Sequence, residues 1–288
     1  MKMFPFVICA LSLLGLGARA DAAAIYGATA SGSPGRLFTI DSATGAMTQD
    51  IGPLNAVTGL NYPITGMAFH PTTGVLYGST GNNPAATAGL FVAIDPTTAL
   101  VTPIGPFNAG PVNDSGVPTT MADLAFDASG NLFGVASIGG PQLYSINVLS
   151  GQATVIGNSG LTGTSGGGLA ISSGGVFYGT PTASRYGTYD PVTGVFTNIT
   201  NPTKPGGGGA YAALEFGPGG LLYGLNSAPG SPPPTFLVTI DPATGAVTNV
   251  GGSVVALDAI AFRIPEPTGL ATLAIAALAL ATTRRRNR

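Results

Sequence analysis

The sequence predicts an all-β fold, a five-bladed β-propeller closed by pairing the C-terminal strand with the N-terminal blade. Three recurring elements lead to that expectation. An apolar or aromatic pair followed by glycine appears five times: Ile25-Tyr26-Gly27, Leu76-Tyr77-Gly78, Leu132-Phe133-Gly134, Phe177-Tyr178-Gly179 and Leu222-Tyr223-Gly224. A strand ending in Asp or Asn follows each copy, best seen as Leu37-Phe38-Thr39-Ile40-Asp41 and Leu237-Val238-Thr239-Ile240-Asp241. Leu90 to Asp95, Leu143 to Asn147 and Gly187 to Asp190 are its variants, and a turn and a threonine-containing strand come next. The third element reads Gly66-Met67-Ala68-Phe69, Asp123-Leu124-Ala125-Phe126, Gly168-Leu169-Ala170-Ile171, Ala213-Leu214-Glu215-Phe216 and Ala259-Ile260-Ala261-Phe262.

Four short strands recurring roughly every 50 residues have the spacing of a propeller blade. The first aromatic-glycine motif has no inner strand before it, and the last inner strand, Ala259 to Phe262, has no motif after it. Each end therefore completes the other. This circular permutation counts against an open β-solenoid or a β-sandwich, and closure leaves no free edge between the ends of the sheet series. It also helps a chain with 45 glycines, each of which costs backbone entropy when held in a strand.

The aspartates that end the third strands belong to turns such as Asp241-Pro242-Ala243-Thr244-Gly245. There the side chain accepts backbone hydrogen bonds, proline presets φ and glycine accepts positive φ. Asn147 and Ala99 depart from the pattern without ending it. One carboxylate per turn falls short of the six to eight oxygens of a Ca²⁺ site. His70 stands where Asp127 stands in the next copy and is expected to be a turn residue, since the chain has no second histidine to join it at a metal. No metal and no cofactor are expected.

Three segments make up the chain. Residues 1–20 carry Lys2, an apolar core from Phe4 to Gly17 and a small-x-small site at Ala18-Arg19-Ala20, the pattern of a cleaved secretory signal peptide. Cys9, the one cysteine, lies inside it, so disulfides and a cysteine nucleophile are excluded from the mature chain. Residues 21–264 hold the propeller. Residues 265–288 hold Pro265-Glu266-Pro267, an apolar run from Gly269 to Ala281, and Arg284, Arg285, Arg286 and Arg288. Arginines at one end of an apolar helix stay on the cytoplasmic side and leave Pro-Glu-Pro on the exported side.

This tripartite tail resembles the PEP-CTERM sorting signal of bacterial exported proteins. The resemblance implies a transient transmembrane sorting helix, an exosortase-type membrane enzyme as partner, cleavage near Pro-Glu-Pro, a location on the cell surface or beyond it, and a link to extracellular polysaccharide and biofilm matrix. Without both signals, Arg36, Arg185, Lys204 and Arg263 face twelve acids, a net charge of −8 if Glu266 is retained. An acidic chain without clustered bases is not a nucleic-acid binder.

Two functional readings follow. In a four-stranded blade the first-to-second and third-to-fourth turns share one face, while second-to-third and interblade connections share the other. The first set is short here and the second long and irregular, and irregular loops on a rigid scaffold are where binding resides. The expectation is a non-enzymatic surface or matrix protein meeting a polysaccharide or a surface protein through Tyr62, Asn82, Asn83, Phe107, Asn108, Asn113, Asp114 and Lys204. The alternative is a secreted glycan-active hydrolase or lyase. Such enzymes pair an acid with a base or nucleophile, and the carboxylates able to line the central channel are Glu215, Asp123 and Asp258.

Overall fold

A computed structural model describes residues 24–30, 32–81, 85–107, 120–136, 142–162 and 167–263. Blade 1 is built from both ends of that range, with β1 (Ile25–Thr29), β2 (Arg36–Ile40) and β3 (Met47–Pro53) completed on the inside by β20 (Leu257–Phe262). Blade 2 is β4 (Ile64–Phe69), β5 (Leu76–Thr80), β6 (Leu90–Ile94) and β7 (Val101–Pro106). Blade 3 is β8 (Asp123–Phe126), β9 (Leu132–Ala136), β10 (Gln142–Ile146) and β11 (Ala153–Asn158). Blade 4 is β12 (Gly168–Ile171), β13 (Phe177–Thr180), β14 (Tyr186–Tyr189) and β15 (Phe196–Thr200). Blade 5 is β16 (Ala210–Phe216), β17 (Leu222–Ser227), β18 (Thr235–Ile240) and β19 (Val247–Gly252). All pairings within the blades are antiparallel, and the expected closure is present, with Ile25 opposite Phe262 and Gly27 opposite Ile260. The expected signal peptide (1–20) and sorting helix (265–288) fall outside the described residues. Among the described residues no helix is long and apolar enough to cross a membrane.

The repeated motifs have physical causes. Side chains alternate across each strand, so every blade feeds apolar residues into two interblade cores. The aromatic of the aromatic-glycine motif reaches across to the last residue of the next blade's inner strand. Tyr26 meets Phe69 at 5.3 Å between ring centroids, Tyr77 meets Phe126 at 5.8 Å, Tyr178 meets Phe216 at 5.7 Å and Tyr223 meets Phe262 at 4.9 Å. Blade 4 ends its inner strand in Ile171, and Phe133 turns instead to Phe177, edge-on at 4.8 Å. These tilted and edge-to-face geometries are the favoured ones for aromatic pairs. The glycine after the aromatic clears space for the third strand: a methyl group at Gly27 would stand 2.6 Å from Ile40 Cδ1.

The third-to-fourth pairing slips by one residue in every blade. The extra residue on the outer strand is Ile51, Ile104, Ile156, Ile199 or Val250, β-branched in all five copies. Four of them, all but Ile199, pack against the cores. In three blades the next residue is a glycine against which the following blade's Asp or Asn turn closes. At Gly157 an added methyl would stand 1.9 Å from the carbonyl oxygen of Thr193. Gly157→Ala should therefore cost about 2 kcal/mol through overpacking against backbone. Urea unfolding checks this, with Gly252→Ala as a neutral control because nothing lies within 4 Å of that position.

The turns behave as expected. Asp41 Oδ1 accepts the N–H groups of Ala43 at 2.7 Å and Thr44 at 3.0 Å, and Asp241 repeats this with Ala243 and Thr244. Ala99 takes the place of the turn glycine at φ 59° with its methyl fully buried, so packing offsets backbone strain there. His70 Nδ1 accepts the N–H groups of Thr72 at 3.2 Å and Thr73 at 3.3 Å, imitating the aspartate it replaces, and its ring rests on Phe126.

Candidate functional site

An inner strand is paired on one edge only, and its other edge faces the propeller axis. N–H groups alternate between the two edges of a strand, so N–H groups from the inner strands converge on the axis at regular levels. The first level is occupied by Asp123. Its Oδ1 accepts from the N–H of Leu124 at 2.9 Å, and its Oδ2 accepts from the N–H groups of Leu169 at 2.9 Å and Leu214 at 3.0 Å. One carboxylate thereby ties together the inner strands of blades 3, 4 and 5. The equivalent residues of the other blades are Gly66, Gly168, Ala213 and Ala259. They are small because the strands crowd here: a methyl at Gly66 would lie 2.5 Å from Asp123 Cα. Asp123 carries the longer side chain at this level, with no exposed surface.

Glu215 lies two residues further along, where the other four blades place the buried alanines Ala68, Ala125, Ala170 and Ala261. Burial pushes its carboxyl up to about 8, opposed by the Phe262 N–H donated to it. Part of its surface stays open to water, which tempers that rise. Burial also drives the Asp123 carboxyl well above the usual range, against its three N–H donors, and the charge of Glu215 adds to the rise. Asp258 is half-buried at the bulge of β20, between Leu257, which pairs with Thr29, and Ala259, which pairs with Ala28. Of the three channel carboxylates expected from the sequence, the structure thus brings Asp123 and Glu215 into electrostatic reach. It removes Asp123 as a catalytic group, because a carboxylate with no accessible surface and three backbone donors does not meet a substrate.

The expected binding face needs a similar correction. Tyr62 and Phe107 are core residues, 4% and 0% exposed. Tyr62 packs between blades 1 and 2, and Phe107 belongs to the core of blades 2 and 3 beside Phe91. Neither offers an aromatic platform. Asn82, Asn83, Asn108, Asn113 and Asp114 lie outside the described residues. Lys204 is half-buried in the connection between blades 4 and 5. That connection is held by Asn226, whose Oδ1 accepts from Gly206 N–H at 3.0 Å and whose Nδ2 donates to the carbonyls of Gly208 and Ala210. Asn61 does the same between blades 1 and 2, bridging Gly35, Leu54 and Asn55. The sequence reading missed both amides, because an asparagine near a strand end looks like any loop residue.

Among the described residues no three His, Cys, Asp or Glu side chains come together. An open cleft of about 450 Å³ lies on blade 3, between the turns at Gly130 to Leu132 and Ser145 to Gln152, and shares no residue with the axis.

A family model described as a repeat of unknown function, DUF6923, matches residues 26–230. The chain belongs to this family. The DUF6923 match begins at the first aromatic-glycine motif and runs into the fifth blade. Similar solved structures include a protein of unknown function from Bacteroides caccae, at 10% identity and TM-score 0.46, covering 85% of this chain and all of that one. A structural genomics protein of unknown function from Bacteroides thetaiotaomicron is similar at 11% identity and TM-score 0.44, over 79% of this chain and 64% of that one. Myxococcus xanthus glutaminyl cyclase is similar at 16% identity and TM-score 0.44, over 71% of this chain and 76% of that one. No curated protein matches the DUF6923 chain.

Proposed function

We propose that this DUF6923 propeller is a non-enzymatic, exported component of the cell surface or extracellular matrix. The signal peptide at 1–20 carries it out, an exosortase-type enzyme acts on the tail at 265–288, and the long-loop face meets a polysaccharide or a surface protein. The observation that carries the non-enzymatic reading is the commitment of Asp123 to three backbone N–H groups. It leaves Glu215 without that carboxylate as the second member of an acid–base pair. With Tyr62 and Phe107 in the core, recognition on the loop face falls to amides, backbone groups and Lys204. A mature net charge of −8 selects against polyanionic partners.

Intact mass of the protein recovered from the surface or medium of its native host tests the sorting half. The expected species starts at Asp21 and ends near Pro267, and it is absent when the gene is expressed without an exosortase. A native species that retains Arg284 to Arg288 would overturn it. Glycan turnover by the wild type that disappears in Glu215→Gln would overturn the non-enzymatic half.

A further inference from the structure

Both ends of the described chain leave the domain at one place. Ile25 opens β1 opposite Phe262, which closes β20, and Arg263 N–H donates to the Ala24 carbonyl at 3.4 Å. That place is the end of the inner strands where the short turns gather, beside the axis and opposite the long loops. Given the sorting-tail reading, on which this step rests, we infer that the propeller stands with its short-turn face toward the membrane of the cell envelope that receives its C-terminus, and presents its long-loop face outward.

Tether length sets the orientation. Five residues separate Arg263 from Gly269, where the apolar run begins, and the six Cα-to-Cα steps between them span at most about 21 Å. A six-residue strand is itself about 20 Å long, and loops on both faces add to the height of a blade. An inverted domain would need a tether that crosses its whole height before reaching the membrane. Edge-on docking is also out of reach once the chain is cut near Pro267, because about 14 Å of remaining chain is shorter than the roughly 18 Å radius of gyration of such a domain.

Each blade sets an exposed apolar side chain on the short-turn face: Met47, Val75, Leu149, Val192 and Leu221. The aspartates beside them, Asp41, Asp95, Asp190 and Asp241, oppose adsorption to an anionic bilayer, so the tether and not charge sets the orientation.

The mature chain lacks cysteine, which permits single-cysteine mapping in the native host. Val57→Cys reports the long-loop face and Val192→Cys the short-turn face, at positions 87% and 79% exposed. With a membrane-impermeant, polymer-linked maleimide, Val57→Cys should react several-fold faster than Val192→Cys on intact cells, while the two purified proteins react alike. Equal rates on cells, or a faster Val192→Cys, would overturn the orientation and leave the sorting reading standing. Reaction of neither variant until the cells are lysed would overturn the sorting reading and this inference with it.

Discussion

Asp123→Asn should lower the melting temperature of the purified propeller by about 12 °C, and Asp123→Ala by more. The carboxyl accepts three N–H groups at the axis, and a buried donor left without its acceptor costs about 1–3 kcal/mol. An asparagine amide replaces one oxygen with an NH₂ group. If the NH₂ takes the place of Oδ1 it faces the Leu124 N–H, and if it takes the place of Oδ2 it faces the N–H groups of both Leu169 and Leu214. Either orientation sets donor against donor at a position with no accessible surface. Alanine strands all three donors. A loss of about 4 kcal/mol is expected for asparagine, and a domain of this size loses about 2–4 °C for each kcal/mol. Thermal unfolding followed by circular dichroism measures it. An Asp123→Asn protein that melts with the wild type would show that the two acceptor oxygens of Asp123 are not what joins these three blades.

The architecture was legible in the sequence because its cause is periodic. The five aromatic-glycine copies mark a contact made once per blade, between Tyr26 and Phe69 and its counterparts, and the incomplete copies at the two ends implied the β1 to β20 closure. The outer-strand bulge was equally periodic but harder to see. Ile51-Gly52, Ile104-Gly105 and Ile156-Gly157 look like ordinary strand ends until the register shows one residue too many. Individual side chains at the ring of connections were less legible. Tyr62 and Phe107 sit in segments rich in Asn, Gly and Pro, so composition pointed to solvent, whereas the interblade core needed aromatics to fill its long-loop end. Asp123 was recognisable as a channel residue from its place in the inner-strand motif. Its role was not, because three donors 1, 46 and 91 residues away in sequence meet only when the ring is closed.

Glu215 should make the propeller less stable as pH rises from about 4.5 to about 8. Its carboxyl is raised from 4.5 to about 8 by burial, so across that window the folded protein holds a proton that the unfolded chain has released, and stability falls with increasing pH. The contribution is present in full below the unfolded value and is lost as pH passes the folded one. The size is on the order of 3 kcal/mol, allowing for the part of Glu215 that stays in water. Asp123, also raised by burial, acts in the same direction. Asp95, Asp190 and Asp241 act in the opposite one: hydrogen bonds from Thr97, Thr193 and Thr244 hold their carboxyls below 3.8, so their contribution is lost only as the medium becomes more acidic than that. Stability is therefore expected to peak near pH 4 to 5, the lower end of the Glu215 window. Urea unfolding at intervals between pH 4 and 9 gives the curve. Glu215→Gln, an isostere that stays neutral, should flatten most of the decline above pH 5. Glu215→Ala, which restores the alanine found at this position in the other four blades, should exceed the wild type in stability at pH 9, where the native carboxylate is ionised in the channel. A wild type and a Glu215→Gln variant that decline in parallel would place the titrating group elsewhere, and would make the carboxyl at the axis an ordinary hydrated one.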